Sequence, residues 1–577
     1  MRLRLALALL AFVAVLAGCS AIPTETLPQP ANIGSGQDSQ VSVAQPPAGL
    51  SAPDIVRGFV NSSADSSNFY AAAQAYLTGS ARSTWNYRGS ITVIADNFST
   101  IGEFTKDNKQ ETVTLRAQEL GVLDGNNAFQ ADSTPIERTL RVNQQSDGQW
   151  RISYSPDGVV VPITMFQQYY RPVPVYFFDP GFSELVPDLR WATNDPASGM
   201  PARIVDLLLD GPSSAVQSAL QSAIPGGVMP KTNVTEADDG AIVVNLENLP
   251  SEEPNHTKML IVAQIVSSLH AITDGVVRIQ DEGVALVPGH LDWRYSELAV
   301  SSVPSPSANL PGLEVARGRV FSLKDGSPIS GPAGTGSYDA VTAAQSVDGT
   351  ELAVVAQRAD GSVELRVGKF GSAADGVDLS AHTMTRPTWA PADATGDPSR
   401  EVWTVTDQQQ VVRVDTTLAG WQATPVDSSE LAGDGPITDL RLSRDGTRVA
   451  VIAGGHLYVG AVVTSEQGSV AIKQVSELQA DAITSATSVD WLDQNDDLVV
   501  GTSQPRMPVA RVSVDGFKLE QYAPANLTAP VTSVTGAPNR PVIVADATGL
   551  WQTSDITEVW QPQAHSQSPD AIAFYPG

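Results

Sequence analysis

The chain has one cysteine, Cys19, in 577 residues, so no disulfide can form within it. Histidine is almost as scarce: there are six, and none precedes His256. The first 255 residues therefore lack the commonest general base. The six (His256, His270, His290, His382, His456 and His565) are scattered without metal-ligand spacing. Basic residues are also few. Lys and Arg number 35 against 63 Asp and Glu, a formal net charge of −28. That balance argues against nucleic acid, which needs clustered cations, and against flat adhesion to anionic lipid. Its simplest role is solubility. No Gly-x-Ser-x-Gly elbow, His-Glu-x-x-His helix or phosphate-cradling Gly-rich loop is present, nor a Ser-x-x-Lys pair with its partner motifs. No catalytic, cofactor-binding or metal-binding residue is expected. Beyond the first 17 residues no stretch is long and apolar enough to span a bilayer.

What is present begins at the amino terminus. Arg2 and Arg4 precede an unbroken apolar run from Leu5 to Ala17, the pattern of an export signal. The run ends in Leu16-Ala17-Gly18-Cys19, which resembles a bacterial lipobox. The resemblance implies a signal peptide over 1–18, cleavage before Cys19, and N-palmitoyl and S-diacylglycerol groups on Cys19. The alternative is a plain signal with an incidental thiol. Each buried methylene contributes roughly 0.8 kcal/mol, so two or three chains hold a protein stably on a membrane. Residues 19–50 are rich in Pro, Ser, Gln, Gly and Ala and read as a tether. A coil of ~30 residues spans on the order of 30 Å, and about 100 Å if drawn straight.

With 46 Gly and 40 Pro, short strands and many turns are favoured, and the length predicts about three domains. In residues 51–171 helical spacing runs from Ile55 through Phe59, Val60, Phe69 and Ala73 to Leu77, with Gly79 as the stop. Strands follow at 91–94, 112–115 and 139–142, and an Asp147-Gly148 hairpin turn leads into Trp150–Tyr154. Helices first, then a curling sheet ending in Asp-Gly-Gln-Trp-Arg-Ile, resembles the NTF2-like α+β cone. Trp85, Tyr87 and Phe98 read as core rather than a ligand box.

Residues 172–300 predict strands at 173–179, 185–191 and 241–246 and a helix at 203–210 ended by Gly211-Pro212. Ser214 and Gln217 form a capping box for a further helix. A long helix places Met259, Val262, Ala263, Val266, Leu269 and His270 on one stripe. His270 reads as a satisfied buried or half-buried histidine, and Asp206 and Asp210 as solvated helix charges. The order Leu-Leu-Leu-Asp-Gly-Pro-Ser-Ser, Leu220–Pro225, Val-Val-Asn-Leu and Gln264-Ile265-Val266 resembles an α/β GerMN domain, a non-catalytic interaction module.

Residues 301–312 form a linker by composition. From 313 to 577 apolar strands recur about 45 to 50 residues apart, at 352–355, 402–405, 449–452, 498–501 and 542–545. Asp-Gly turns precede several, as in Ala344–Thr350 and Leu442–Thr447. Such units cannot cover their own faces, and radial repetition covers them, so an all-β propeller of five to six blades is predicted. Arg319–Leu323 and Ala571–Tyr575 are candidates to pair and close the ring or to add a sixth blade. The alternative is an open pair of β-sheets. Asp493-x-Asn495-x-Asp497 has the alternation of a calcium loop, but Gln504 stands where a bidentate Glu belongs, so it reads as a turn.

The order lipobox, cone, GerMN and propeller resembles the LpqB family of actinobacterial lipoproteins across the mature chain. The resemblance implies a partner, the extracytoplasmic domain of a two-component sensor histidine kinase of the MtrB type. It also implies a role in cell-wall and division signalling from the outer face of the cell membrane. Two other readings remain open: capture of a wall fragment or small ligand in the cone pocket or propeller channel, and a wall-acting hydrolase.

Overall fold

The computed structural model describes residues 45–577, except 105–108, 195, 299–305, 308, 392–398, 466 and 494–495. The expected signal, Cys19, and all but the last six residues of the expected tether lie outside the described residues.

The first domain opens with the helix Ala52–Ser62. Ser51 caps it, its Oγ accepting the Asp54 amide at 3.3 Å, and Ile55, Val56, Phe59 and Val60 face the core. The helical pattern falls into separate helices. A second begins at Ser67, and its residues Asn68, Phe69 and Tyr70 take left-handed φ of 47°, 60° and 62°. Gly79 starts a helix, Gly79–Thr84, instead of stopping one, because the Thr78 hydroxyl accepts the Ala81 amide at 3.2 Å and caps it there. The long strand Gln110–Leu123 then organises a seven-stranded sheet. It pairs antiparallel with Ile91–Ile94, Ser99–Phe104, Phe129–Ala131 and Pro135–Gln144, while Val159–Pro162 lies parallel to Ile91–Ile94.

A two-stranded ribbon, Tyr170–Phe178 with Leu185–Thr193, joins the first two domains. Tyr170 and Trp191 at its near end lie in the first core, and Phe177, Phe178, Leu185 and Val186 at its far end lie in the second. In the second domain Ile242–Glu247 and Val277–Asp281 pair parallel, and the helix Asn255–His270 makes the crossover between them. That helix is buried continuously from Ile261 to Leu269 rather than along one stripe. The helix Met200–Leu209 ends as expected, with Gly211 at φ 85°. No helix follows at Ser214: residues 214–219 are turns, and the Ser213 carbonyl accepts the amides of Val216 and Gln217. Ser214 donates instead to Asp124 of the first domain at 2.9 Å, so a tertiary contact overrides the capping box.

Residues 313–574 form five four-stranded antiparallel sheets and one of three strands. Each recurring apolar segment is the second strand of its sheet: Glu351–Gln357, Glu401–Thr406, Arg448–Ala453, Asp497–Thr502 and Val542–Asp546. These strands are covered on both faces and lose the alternation of a half-exposed sheet. The first strands of the six sheets contact one another in sequence, and Ile572–Phe574 contacts both Ser533–Thr535 and Ala340–Gln345, closing a ring. The two segments named for closure share a sixth sheet but do not pair directly. Leu313–Ala316 lies between Arg319–Ser322 and Ile572–Phe574, so the last strand reaches the former only through a middle strand. Tryptophans stitch neighbouring sheets: Trp389 Nε1 donates to the Ala344 carbonyl at 3.0 Å, and Trp491 Nε1 to the Arg441 carbonyl at 3.2 Å.

Candidate functional site at the three-domain junction

The ring axis, one of the expected ligand sites, is filled by charge. Arg386 pairs with Asp490 at 2.9 Å, and Arg441 with Asp439 at 3.0 Å. Asp490 also accepts Thr535 Oγ1 at 2.8 Å, and Arg444 donates to the carbonyls of Pro576 and Gly536. Burial would raise the Asp490 carboxyl, but Arg386, Arg441 and Arg444 outweigh it and hold it below the usual range. Burial, then Arg386, pushes Arg441 down to about 10. The space left beside Arg444 and Asp490 is about 10 Å³, at or below what one water needs. At the level of Arg386, Arg441 and Asp490 the axis is filled by these paired charges.

The three domains meet elsewhere, on a turn that the sequence repeats. Ser346-Val-Asp-Gly349, Ser443-Arg-Asp-Gly446 and Ser513-Val-Asp-Gly516 share one hydrogen-bond pattern. The Asp carboxylate accepts the Ser hydroxyl and the amide two residues on, and the Ser Oγ accepts the amide of Glu351, Arg448 or Lys518. In the first two turns the next residue is Thr, and its hydroxyl also donates to the Asp, from Thr350 at 2.7 Å and from Thr447 at 2.6 Å. In the third it is Phe517. With that hydroxyl missing, the second oxygen of Asp515 accepts Trp191 Nε1 at 3.0 Å. Burial raises the Asp515 carboxyl against these donors.

Phe517 reaches into the aromatic core of the first domain. Its ring centroid lies 4.3 Å from Trp191, 5.1 Å from Phe129 and 5.4 Å from Phe166. The preceding Gly516 has φ +73° and no room for a side chain, since a Cβ there would lie 2.9 Å from Ala131 Cβ. The docking of this turn is thus a reason for glycine beyond the turn itself.

The second domain contributes a buried ion pair. Arg190, fully buried, donates to Asp188 at 2.6 Å, to the Asn126 carbonyl at 2.6 Å and to the Gly211 carbonyl at 2.8 Å. Asp188 also accepts the Ser213 amide and hydroxyl at 2.7 and 2.9 Å. From the ring, Arg448 donates to the Pro187 carbonyl at 2.9 Å. Asp188, Ser213 and Arg448 line a small cavity of about 70 Å³, room for a few waters. Arg448 Nη1 and Gln474 Oε1 are buried there without a protein partner among the described residues, so water is their natural complement.

The residues singled out from the sequence fall as follows. Trp85 and Phe98 are buried, and Trp85 and Tyr87 cluster with Phe59 and Tyr70 in the first core. His270 is half-buried, stacked on Tyr295 at 4.1 Å. Asp206 and Asp210 are exposed. Asp493 accepts the amides of Asp496 and Asp497, Asp497 accepts Arg511 Nε at 2.9 Å, and Gln504 donates to the Ala482 carbonyl, as a turn requires. Asn495 lies outside the described residues. Ser513–Phe517 was missed, although its Ser-x-Asp-Gly signal stood in the sequence. No other residue there predicted that this copy would face another domain.

Comparison with known proteins agrees with this architecture. The model described as the LpqB N-terminal domain matches residues 45–167, that for sporulation and spore germination matches 174–287, and that for the LpqB β-propeller domain matches 318–576. These define a multidomain, mostly β protein of the lipoprotein class with a GerMN domain and a propeller. Lipoprotein LpqB of Nocardia farcinica is 30% identical, over 99% of this chain and 97% of its own. Its namesake in Mycobacterium tuberculosis is 30% identical over 98% of each chain, and that in Mycolicibacterium smegmatis 29% identical over 98% of each. The chain belongs to the LpqB lipoprotein family. None of the three matched models describes an enzyme. No helix among the described residues is long and apolar enough to cross a membrane.

Proposed function

We propose that this chain is a lipoprotein anchored through acylated Cys19 to the outer face of the cell membrane, where its body binds and modulates the extracytoplasmic domain of a two-component sensor kinase. We read the first domain as an NTF2-like cone and the ring as six-bladed, and we read the chain as a binding protein rather than an enzyme. The observation that carries this reading is the match to lipoproteins of one family over nearly the whole chain, together with three domains packed as one body. Anchoring holds such a body beside a membrane kinase at high effective concentration, so a modest interface suffices. Modulation then requires only that the body prefer one conformational state of the kinase.

Crosslinking in native membranes followed by identification of the captured proteins tests the partner. Recovery of a sensor kinase supports the reading, and its absence from wild-type capture overturns it. Cys19→Ala should leave unprocessed precursor or unanchored protein, and lipid label on that variant would refute the anchor. Deleting residues 313–577 is an unsuitable test, because it strips Phe517 and Asp515 from the first domain.

A second reading, capture of a small polar ligand, is favoured by one feature. A cleft of about 380 Å³ between the second domain and the ring is lined by Glu184, Glu401, Arg413 and Asp445. Calorimetry with muropeptides tests it.

A further inference from the structure

Beside Phe517 the first domain and the ring do not close completely. A groove of about 550 Å³ runs along their seam, within the size range of ligand sites, which favour domain boundaries. Its floor is apolar and comes from both sides: Leu120, Phe129 and Ile163 from the first domain, Phe517 and Leu519 from the ring. Its rim is acidic. Asp132 belongs to the first domain and Glu477 and Asp481 to the ring, and the hydrogen bond from Ser133 to Asp481 spans the seam. Among the described residues one cation lines the groove, Lys518, and it is paired with Glu520 at 2.8 Å.

We propose that this groove is the docking site for an extracytoplasmic protein segment carrying one large apolar side chain flanked by lysine or arginine. The inference rests on the partner-binding role proposed above and gives it a surface. The apolar floor accepts the anchoring side chain, where burial supplies most of the affinity. The acidic rim selects cationic flanks and speeds encounter. An acidic or neutral segment gains the first term without the second. Because floor and rim come from two domains, an occupant touches both sides of the seam.

The test uses the full mature chain carrying Cys19→Ser and three synthetic peptides, Lys-Lys-Trp-Lys-Lys, Lys-Lys-Ala-Lys-Lys and Glu-Glu-Trp-Glu-Glu, each capped at both ends. Binding is followed by calorimetry at low and physiological salt. The first peptide should bind at least tenfold more tightly than either of the others. Asp132→Lys with Asp481→Lys should weaken it at least tenfold, whereas Asp325→Lys with Asp360→Lys, exposed acids on other sheets of the ring, should change it less than twofold. Equal binding of the Ala-centred peptide, or equal loss in the distant charge reversal, would show only general attraction to an acidic protein and overturn the proposal. Unchanged melting temperatures exclude misfolding as the cause. Crosslinking in native membranes then separates the two claims. A kinase captured by wild type but lost with Asp132→Lys and Asp481→Lys supports the groove, and one captured equally by both overturns it. Selective peptide binding with no kinase captured by wild type would leave the groove standing and remove the kinase.

Discussion

The first domain covers a mostly antiparallel sheet and the propeller covers antiparallel ones, but from different sources. The ring covers its sheets with one another, and charged residues fill its axis: Arg386, Arg441 and Arg444 set against Asp439 and Asp490. The first domain does not complete its own core. It takes Trp191 from the ribbon and Phe517 from the ring, and its turn at 124–130 is held by Arg190 and Ser214 of the second domain. A repeat architecture can be self-sufficient because every unit has a neighbour of its own kind. A single curled sheet has none and is completed by whatever packs at its open side. The ring is therefore expected to behave as a unit, and the first domain as a dependant of the other two.

The largest expected effect lies at the axis. Asp490→Ala leaves Arg386 and Arg441 short of their counter-charge and should cost about 3–5 kcal/mol, read as a large fall in melting temperature. A small effect would mean that the axis is not what holds the ring. Phe517→Ala comes next, at about 2–3 kcal/mol for a half-buried ring. Hydrogen exchange should show protection lost in Gln110–Leu123 and retained in Arg448–Ala453. Equal loss in both strands would break the contrast between dependent domain and independent ring.

The contact between the second domain and the ring should carry a pH dependence. Burial, then Asp445 and Asp179, raises the Glu184 carboxyl from its ordinary 4.5 to about 8. The folded state thus holds a proton that the unfolded chain gives up, and stability falls as pH rises from about 4.5 to about 8. Glu184→Gln should raise the melting temperature at pH 8 and leave it unchanged at pH 4; an unchanged melting curve at pH 8 would show that Glu184 imposes no such penalty. The smallest effect belongs to the surface pair Arg116 and Glu137, both more than half exposed. Arg116→Ala should cost less than about 0.5 kcal/mol. A larger loss would mean that the first domain's outer strands carry more of its stability than its shared core does.

Much of the architecture was legible because its signals are local and repeated. The apolar strands of the ring recur with the blade spacing, Gly211 marks its helix end, and Asp147-Gly148 marks its hairpin. The errors share one cause. Gly79, with its permissive backbone, reads as a stop until Thr78 is seen to cap the next helix. Ser214 and Gln217 match a capping box, yet Ser214 bonds to Asp124, 90 residues away. The pattern 319–323 with 571–575 was right about which segments share a sheet and silent about the strand between them. In each case a residue's local preference was met by a partner that no window of sequence contains.

The amino-acid order by itself determined that this chain carries a lipobox-like start, that its body is three units of different texture, and that the last of these repeats. Those properties rest on periodicity, turn chemistry and composition, which act over a few residues. The tertiary structure alone decided that the propeller axis is filled, that one of three equivalent turns enters another domain, and that a groove with an acidic rim lies beside it. Those outcomes depend on which surfaces meet, and Phe517 has no meaning until Trp191, 326 positions earlier, is found 4.3 Å away.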